Sequence, residues 1–491
     1  MSYEDIVNLA LRRGLFFPAS EIYQNAPAGF YDFGPYGAAI RRKIIDVWRR
    51  TFVQAENMLE IDGAVIMPEY VFKASGHLED FNDPMAQCKK CNTIFRADQL
   101  VEEKGKKVNE GTPVEALTKY IRDLKIKCPK CGGDLMDVRQ FNLMVKAIVG
   151  NGTPECYLRP ESCQSIFTAW NRIMNTCRVK LPKGIAQVGK AFRNEISPRQ
   201  TLLRQVEFYQ MEAEIFFDPK KINEIDFWDD VKNYKVNILR NNKSKVESIT
   251  ADKLSKITSG KLIAYYMART QQLYERYGMP AKKLRFREVA DDERAFYAKE
   301  GWDLEVDTSI GWIELGPINY RTDYDLKQHM DASKKDIRYV NDDGSKLIPH
   351  VLEISLGVDR TVYAVLELAY HKTKGRVWLA LPPAIAPLQA GVCPLLKNKP
   401  ELVKQAKEIY DDLRFCFELF YDDSGSIGKR YARFDEIGVP FCLTIDFDSL
   451  KKKDVTIRDR DSAQQKRIKI KDLRNVLFQL ITGTKFSEVG K

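Results

Sequence analysis

The sequence has no run long and apolar enough to cross a bilayer as a helix, which takes about 20 residues. Its most apolar stretch, residues 377–396, is interrupted by Pro382, Pro383 and Pro387. No secretory leader is expected either. The opening MSYEDIVNLALRRGLFF carries acids where a signal carries bases, with no long apolar segment and no small-residue cleavage site. Only four histidines occur, His77, His329, His350 and His371, and no Ser/His/Asp arrangement accompanies them, so chemistry through an enzyme nucleophile is not indicated. Internal repeats and low-complexity tracts are lacking too. These absences lead to the expectation of a cytoplasmic protein without membrane contact.

What is present is an ordinary globular composition. With 491 residues, 44% hydrophobic and 30% charged, the chain can bury a substantial core and divide into two or more units. Its 78 bases against 68 acids leave a net charge of +10, which suits an anionic partner such as nucleic acid. Residues 376–491 hold 21 bases and 16 acids, a net of +5, so half the excess lies in the last quarter. Four of the ten cysteines form two Cys-x-x-Cys pairs. The other six (Cys156, Cys163, Cys177, Cys393, Cys416, Cys442) sit among apolar neighbours, as thiols of a reducing compartment do.

The pattern divides the chain into a catalytic-sized unit, 1–375, and a small α/β unit, 376–491. Within the first, a polar insert at 88–140 is bounded by the cysteine pairs, and an Asn/Lys-rich stretch at about 218–280 reads as a mostly helical insert. Two strands then carry polar faces. In QVGKAFRNEI (187–196), Arg193 and Glu195 share one side. In LRQVEFYQMEAEIFF, Phe208, Gln210, Glu212 and Glu214 oppose Tyr209, Met211, Ala213, Ile215 and Phe217. A solvated edge sheet is the plainer reading of such alternation. A third strand sets Glu353 and Ser355 on one face, and Arg360 follows in the first turn of a core helix, a position that favours anions over cations unless a phosphate is to be met.

These segments resemble class II aminoacyl-tRNA synthetases. FRNEISPRQTLLRQVEF (192–208) is similar to motif 2 and GVDR (357–360) to motif 3, while Pro68 is the candidate motif 1 proline. GLFFPASEIYQNAPAGFYDFGPYG, ASGHLEDFNDPMAQCKKC, YLRPESCQSIF, GWIEL, RTDYDL and SIGKRYARFDEIGVPF resemble the homodimeric, glycyl-specific type, in order and over nearly the whole chain. The resemblance implies an α+β fold: a class II antiparallel-sheet catalytic core with helices, an inserted zinc ribbon and a C-terminal α/β anticodon-binding domain. The implied reaction is ATP-dependent ligation of glycine to tRNA(Gly) through glycyl-adenylate, with Mg2+ neutralising the triphosphate and a homodimer as the assembly.

By motif, the resemblance gives Arg193 the α-phosphate and carboxylate, with Glu195 beside it. Arg204 takes the outer phosphates, Phe208 the adenine face and Arg360 the γ-phosphate, so that Arg193 and Arg360 are the catalytic pair. Glu161, Glu212, Glu353 and Ser355 fall to the glycine ammonium and Arg321 to its carboxylate. The chain departs from the family at Ser162–Ser165, where Thr-Ala-Gln-Gly is usual, and at Pro317, Asn319 and Tyr320. Cys88, Cys91, Cys128 and Cys131, with 36 residues between the pairs, suit tetrahedral zinc, redox dithiols and metal-free surface loops being the other readings. The intervening length calls for extra structure. In the C-terminal unit, Lys429, Arg430, Arg433, Arg458 and Arg460 are candidates to meet tRNA. A synthetase-like accessory protein, a zinc-ribbon nucleic-acid module and a sister synthetase of the same subclass are the rival readings.

Overall fold

The computed structural model describes residues 2–108, 111–196, 198 and 201–489. Three residues of the loop expected after the first working strand, 197, 199 and 200, lie outside the described residues. Alternation along Glu207–Phe217 decides which side of the molecule is core. Met211, Ala213, Ile215 and Phe217 enter the main apolar cluster, and Glu212 and Glu214 face the other way. That second face closes on Phe216, stacked 4.2 Å from Trp170 of the helix Cys163–Thr176.

The central sheet has nine strands: β1 (Leu59–Ile61), β2 (Lys183–Phe192), β3 (Glu207–Phe217), β4 (Lys235–Leu239), β5 (Glu247–Thr250), β6 (Leu284–Glu288), β7 (Glu300–Thr308), β8 (Gly311–Thr322) and β9 (His350–Gly357). Their order is β5-β4-β6-β7-β8-β9-β3-β2-β1, and only the β1–β2 and β4–β6 pairs are parallel. Two rungs carry the polar side chains of the second face. Gln187, Glu212 and Ser355 lie side by side across β2, β3 and β9; the next rung holds Ile185, Glu214, Glu353 and Asn319.

Helix α1 (Pro35–Trp48) buries Ile40, Ile44 and Trp48 on the core face. Helix α2 (Val358–Ala369) buries Val358, Val362, Val365 and Leu366 beside it, each fully enclosed aliphatic contributing about 1.5–3 kcal/mol relative to exposure. The stretch 218–280 needs a correction. It supplies the strands β4 and β5, and its helix Lys261–Arg276 is part of the main core rather than a helical appendage. Tyr277 donates to the Ile44 carbonyl at 2.9 Å, Tyr265 donates to Glu56, and Tyr274 pairs with Thr361. Strands of four and five residues are too short for their alternation to register in sequence.

The C-terminal sheet, Leu419–Tyr421, Ala390–Pro394, Phe441–Ile445, Asp454–Asp459 and Gln465–Lys469 in spatial order, has its own core. It begins later than residue 376. Arg376–Leu379 forms a hairpin with Tyr370–Thr373, and Leu379, Leu381, Ile385 and Ala386 pack into the catalytic core. The cysteine-bounded insert carries the extra structure its length called for, the helices Ala97–Glu102 and Val114–Asp123. Among the described residues, no helix is long and apolar enough to cross a membrane.

Candidate active site

Five carboxylates and one guanidinium are packed beneath the open face of β3. Glu212 is fully buried and accepts from Ser162 Oγ at 2.5 Å and Ser355 Oγ at 2.8 Å. Glu353 accepts from Asn319 Nδ2 at 2.8 Å and Arg321 Nη1 at 3.0 Å. Glu161 is reached by Cys163 Sγ at 2.9 Å, Gln164 Nε2 at 3.1 Å and His77 Nε2 at 3.2 Å. Glu214, on the rung of Glu353, is buried with neither oxygen hydrogen-bonded. Asp325 binds the Arg321 fork at 2.7 and 2.8 Å.

Burial sets the protonation of this cluster, and neighbouring charge divides it. Burial raises Glu212 to about 7, with Glu161 and Glu353 adding to the rise. Burial likewise pushes up Glu353, against the opposing pull of Arg321, and raises Glu214 well above the ordinary carboxylate range. At Glu161 burial acts in the same sense but is outweighed by His77, Arg321 and the Cys163 thiol, which hold it well below that range. Five buried acids outnumber the buried guanidinium groups near them, Arg321 among the acids and Arg159 near Glu212, so the pocket is short of positive charge, which suits a cationic group between the acids.

The residues expected to meet ATP lie at or beyond the ends of the same strands and in the helix that follows β9. Arg193 is half-buried, its guanidinium 5.3 Å from the Phe81 ring and 5.4 Å from the Phe208 ring, with Nε donating to the Pro160 carbonyl at 3.2 Å. Arg204 Nε lies 3.4 Å from Glu195 Oε2. Arg360 donates to the Leu203 and Glu314 carbonyls, both at 3.1 Å, and stands 3.3 Å from Glu314 Oε2. The Arg193 amide donates to Val206 and Arg360 to Leu203, carbonyls three residues apart and hence within roughly 11 Å. The anchors of both arginines therefore lie within a nucleotide's length.

The structure brings Glu161, Glu212, Glu353, Ser355 and Arg321 into one cluster and Arg193, Glu195, Arg204, Phe208 and Arg360 along its rim. Arg321 differs from expectation in detail. It is fully buried, 3.7 Å above the Tyr297 ring, and its fork is engaged by Asp325 and Glu353, so it acts as the acids' counter-ion. Sequence reasoning missed Ser162, Gln164, Asn319, Asp325 and His77. The signal for Asn319 was available, because period two places Pro317, Asn319 and Arg321 on one face of β8. Tyr320 points to the other face, bonded to His350 Nδ1 at 2.6 Å, and leaves the pocket alone. Ser165 is accommodated by donating to Gln187 Oε1 at 3.0 Å, an oxygen that also accepts from the Gly63 amide at 2.8 Å. A side chain at Gly63 would come within 2.4 Å of Ser165, so the site needs glycine there.

The C-terminal candidates require correction. Arg430 is buried and donates to the Pro394, Asp423 and Gly425 carbonyls. Arg458 forks onto Asp435 at 2.9 and 3.0 Å, and Arg460 caps the Gly438 and Leu381 carbonyls. Arg433 is half-buried and tied to Asp422. Arg430, Arg433 and Arg458 hold the domain together, and Arg460 ties it to the catalytic unit at Leu381. Lys429 is exposed.

In the insert, the four thiols converge. Cys88 and Cys131 Sγ are 3.5 Å apart, Cys91 and Cys128 Sγ 3.6 Å, and all four lie within 4.8 Å of one another. Tetrahedral zinc with Zn–S bonds of about 2.3 Å sets its sulfurs about 3.8 Å apart, so the donor set fits.

Residues 148–369 match the tRNA synthetase class II core domain (G, H, P, S and T), and residues 389–480 match the anticodon binding domain. Fold and site are those of a class II aminoacyl-tRNA synthetase. A Giardia lamblia prolyl-tRNA synthetase, solved with prolyl-adenylate, superposes with a TM-score of 0.61 at 16% identity, covering 96% of this chain and 76% of that one. The chain is 36% identical to the glycine–tRNA ligase of Methanothrix thermoacetophila over 99% of both chains. It is 38% identical to those of Thermococcus sibiricus (98% and 99% covered) and Aeropyrum pernix (99% and 98%). The chain belongs to the glycine–tRNA ligase family.

Proposed function

We infer that the chain ligates glycine to the 3′ end of tRNA(Gly) in two steps, with ATP as the activating substrate. In the first, glycine's carboxylate oxygen attacks the α-phosphorus of ATP and pyrophosphate leaves, giving glycyl-adenylate. In the second, the 3′-hydroxyl of the tRNA attacks the activated carbonyl and AMP leaves. The observation that carries this reading is the convergence of Glu161, Glu212 and Glu353 over one sheet face, with Arg193 and Phe208 at its rim. The acids hold the ammonium, with Ser355 orienting Glu212. Arg193 bridges the attacking carboxylate and the α-phosphate, steadied by the Pro160 carbonyl, and Glu195 lies on the ATP side facing Arg204. Arg204 and Arg360 take the outer phosphates, and Phe208 stacks on adenine. Catalysis then consists of alignment and charge stabilisation. Arg321 holds the acid cluster in shape, within reach of glycine's carboxylate. Mg2+ neutralises the triphosphate when ATP is bound.

Glycine offers no side chain to grip, so selectivity comes from a pocket too full to admit one. An added methyl group is resisted by overpacking at about 1–3 kcal/mol. Pyrophosphate exchange with glycine, alanine and serine side by side tests the assignment: exchange with glycine alone supports it, and exchange with alanine or serine alone overturns it. Ionised Glu212 is required, so glycine's KM should fall as pH rises towards about 7 and level off above it. Glu212→Gln should flatten that profile while weakening binding. Stability runs the opposite way. A carboxyl whose folded value is raised favours the fold when protonated, so stability is lost as pH climbs from the ordinary carboxylate range through about 7.

Zn2+ held by Cys88, Cys91, Cys128 and Cys131 is structural, as a complete thiolate set leaves no open position. Metal analysis is expected to return one zinc per chain. Cys91→Ser should lose it and loosen the helices Ala97–Glu102 and Val114–Asp123, whose apolar residues share a cluster with Cys88 and Cys128. A homodimer suits the exposed Ile66, Tyr70, Ile148 and Val149 around the small sheet of Ile66–Pro68, Val145–Ala147 and Cys156–Leu158. Lys429 and the exposed Lys451–Lys453 run offer phosphate contacts for tRNA, in a cytoplasmic setting that keeps the thiols reduced.

A further inference from the structure

We propose that His77 is a positioning residue that holds Glu161 in the amino-acid pocket through a relay, Ser75–His77–Glu161. The inference rests on Glu161 being a glycine-binding acid. Both relay residues are buried, Ser75 at 1% and His77 at 4% exposure, and no reaction step described above uses either. Ser75 Oγ lies 2.8 Å from His77 Nδ1, and His77 Nε2 lies 3.2 Å from Glu161 Oε1. A carboxylate only accepts, so Nε2 carries the proton towards Glu161. Nδ1 is paired with the Ser75 hydroxyl, whose oxygen also lies 3.5 Å from the Phe72 carbonyl.

The ring is fixed on its other sides. Phe72 and Phe81 meet it edge-on at 6.2 and 5.6 Å, and the His77 carbonyl accepts from Asn142 Nδ2 at 3.2 Å. The backbone reverses between Ser75 and His77 at Gly76, whose φ of +83° is the left-handed conformation that favours glycine. Without the imidazole, Glu161 Oε1 keeps, among the described residues, the Cys163 and Gln164 donors and the more distant Arg321 Nη2, at 3.9 Å. A buried carboxylate robbed of a donor is less readily kept ionised and turns towards those that remain. The same segment reaches the nucleotide side, because Phe81 carries the Arg193 guanidinium. The stretch 75–81 therefore supports both halves of the reaction, with His77 assigned to the glycine half.

The test is glycine-dependent pyrophosphate exchange by the full chain with His77→Leu and His77→Gln, similar in bulk but differing in the donor. His77→Leu is expected to raise the KM for glycine about tenfold, the size of one lost charge-assisted hydrogen bond, with the KM for ATP unchanged and kcat within about threefold. His77→Gln, whose amide N–H can replace Nε2–H, is expected to recover most of that loss, and Ser75→Ala to show a smaller rise. Equal glycine KM values in the Leu and Gln variants would overturn the relay, as would parallel losses in glycine KM, ATP KM and melting temperature. Glu161→Gln separates the two levels. An unchanged glycine KM there strikes at the assignment of Glu161 itself, whereas a raised KM in Glu161→Gln with no change in His77→Leu strikes only at the relay.

Discussion

Replacing Arg193 with alanine is expected to lower glycine-dependent pyrophosphate exchange by about 10²–10³-fold, equivalent to ~2.7–4 kcal/mol of transition-state stabilisation. The guanidinium lies between the Phe81 and Phe208 rings with its Nε spent on the Pro160 carbonyl, which leaves the Nη groups to meet charge that develops on the α-phosphate. Its side chain is half-buried at the rim and pairs with no acid among the described residues, so removal leaves no uncompensated charge there and melting should move little. Arg193→Lys is expected to restore only a small part of the activity, because an ammonium neither lies flat between two rings nor presents a planar fork. An alanine variant with near-normal exchange would show that the α-phosphate is held by something else.

Arg321 should behave in the opposite manner, with stability failing first. It is fully enclosed, forks onto Asp325 at 2.7 and 2.8 Å, reaches Glu353 at 3.0 Å and covers Tyr297. Arg321→Met strands these acids in a dry setting. Breaking a buried pair from one side costs about 3–5 kcal/mol, so the catalytic unit is expected to melt roughly 5–10 °C lower and to bind glycine poorly. Pairing that change with Asp325→Leu removes one stranded charge and should recover part of the stability, though not the activity. Calorimetry distinguishes the outcomes. A methionine variant as stable as the parent chain would mean that the cluster tolerates protonated acids and needs no internal cation.

Much of the site could be read residue by residue because a strand imposes a period of two. The alternation of 207–217 alone separates Glu212 and Glu214 from the core side chains, and the same rule puts Glu353 with Ser355. Motif order then brings Glu161 and the arginines to those faces. The departures at Asn319 and Tyr320 resolve by the same rule once β8 is known to lie beside β9: Asn319 binds Glu353, and Tyr320 belongs to the core. The basic C-terminal residues resisted this kind of reading. An arginine in sequence carries no sign of whether an acid elsewhere will neutralise it, and Asp435, Asp422 and a set of carbonyls take up Arg458, Arg433, Arg430 and Arg460.

The order of motifs, the strand faces and the cysteine spacing belong to the sequence by itself, since each depends on short-range periodicity or on matching residue types at fixed separations. Tertiary structure alone decided which acids stay charged, which arginines are spent inside, that 218–280 extends the main sheet, and that His77 and Ser75 stand behind Glu161. Each of these depends on desolvation and on partners brought together by folding, and neither quantity exists until the chain has closed around it.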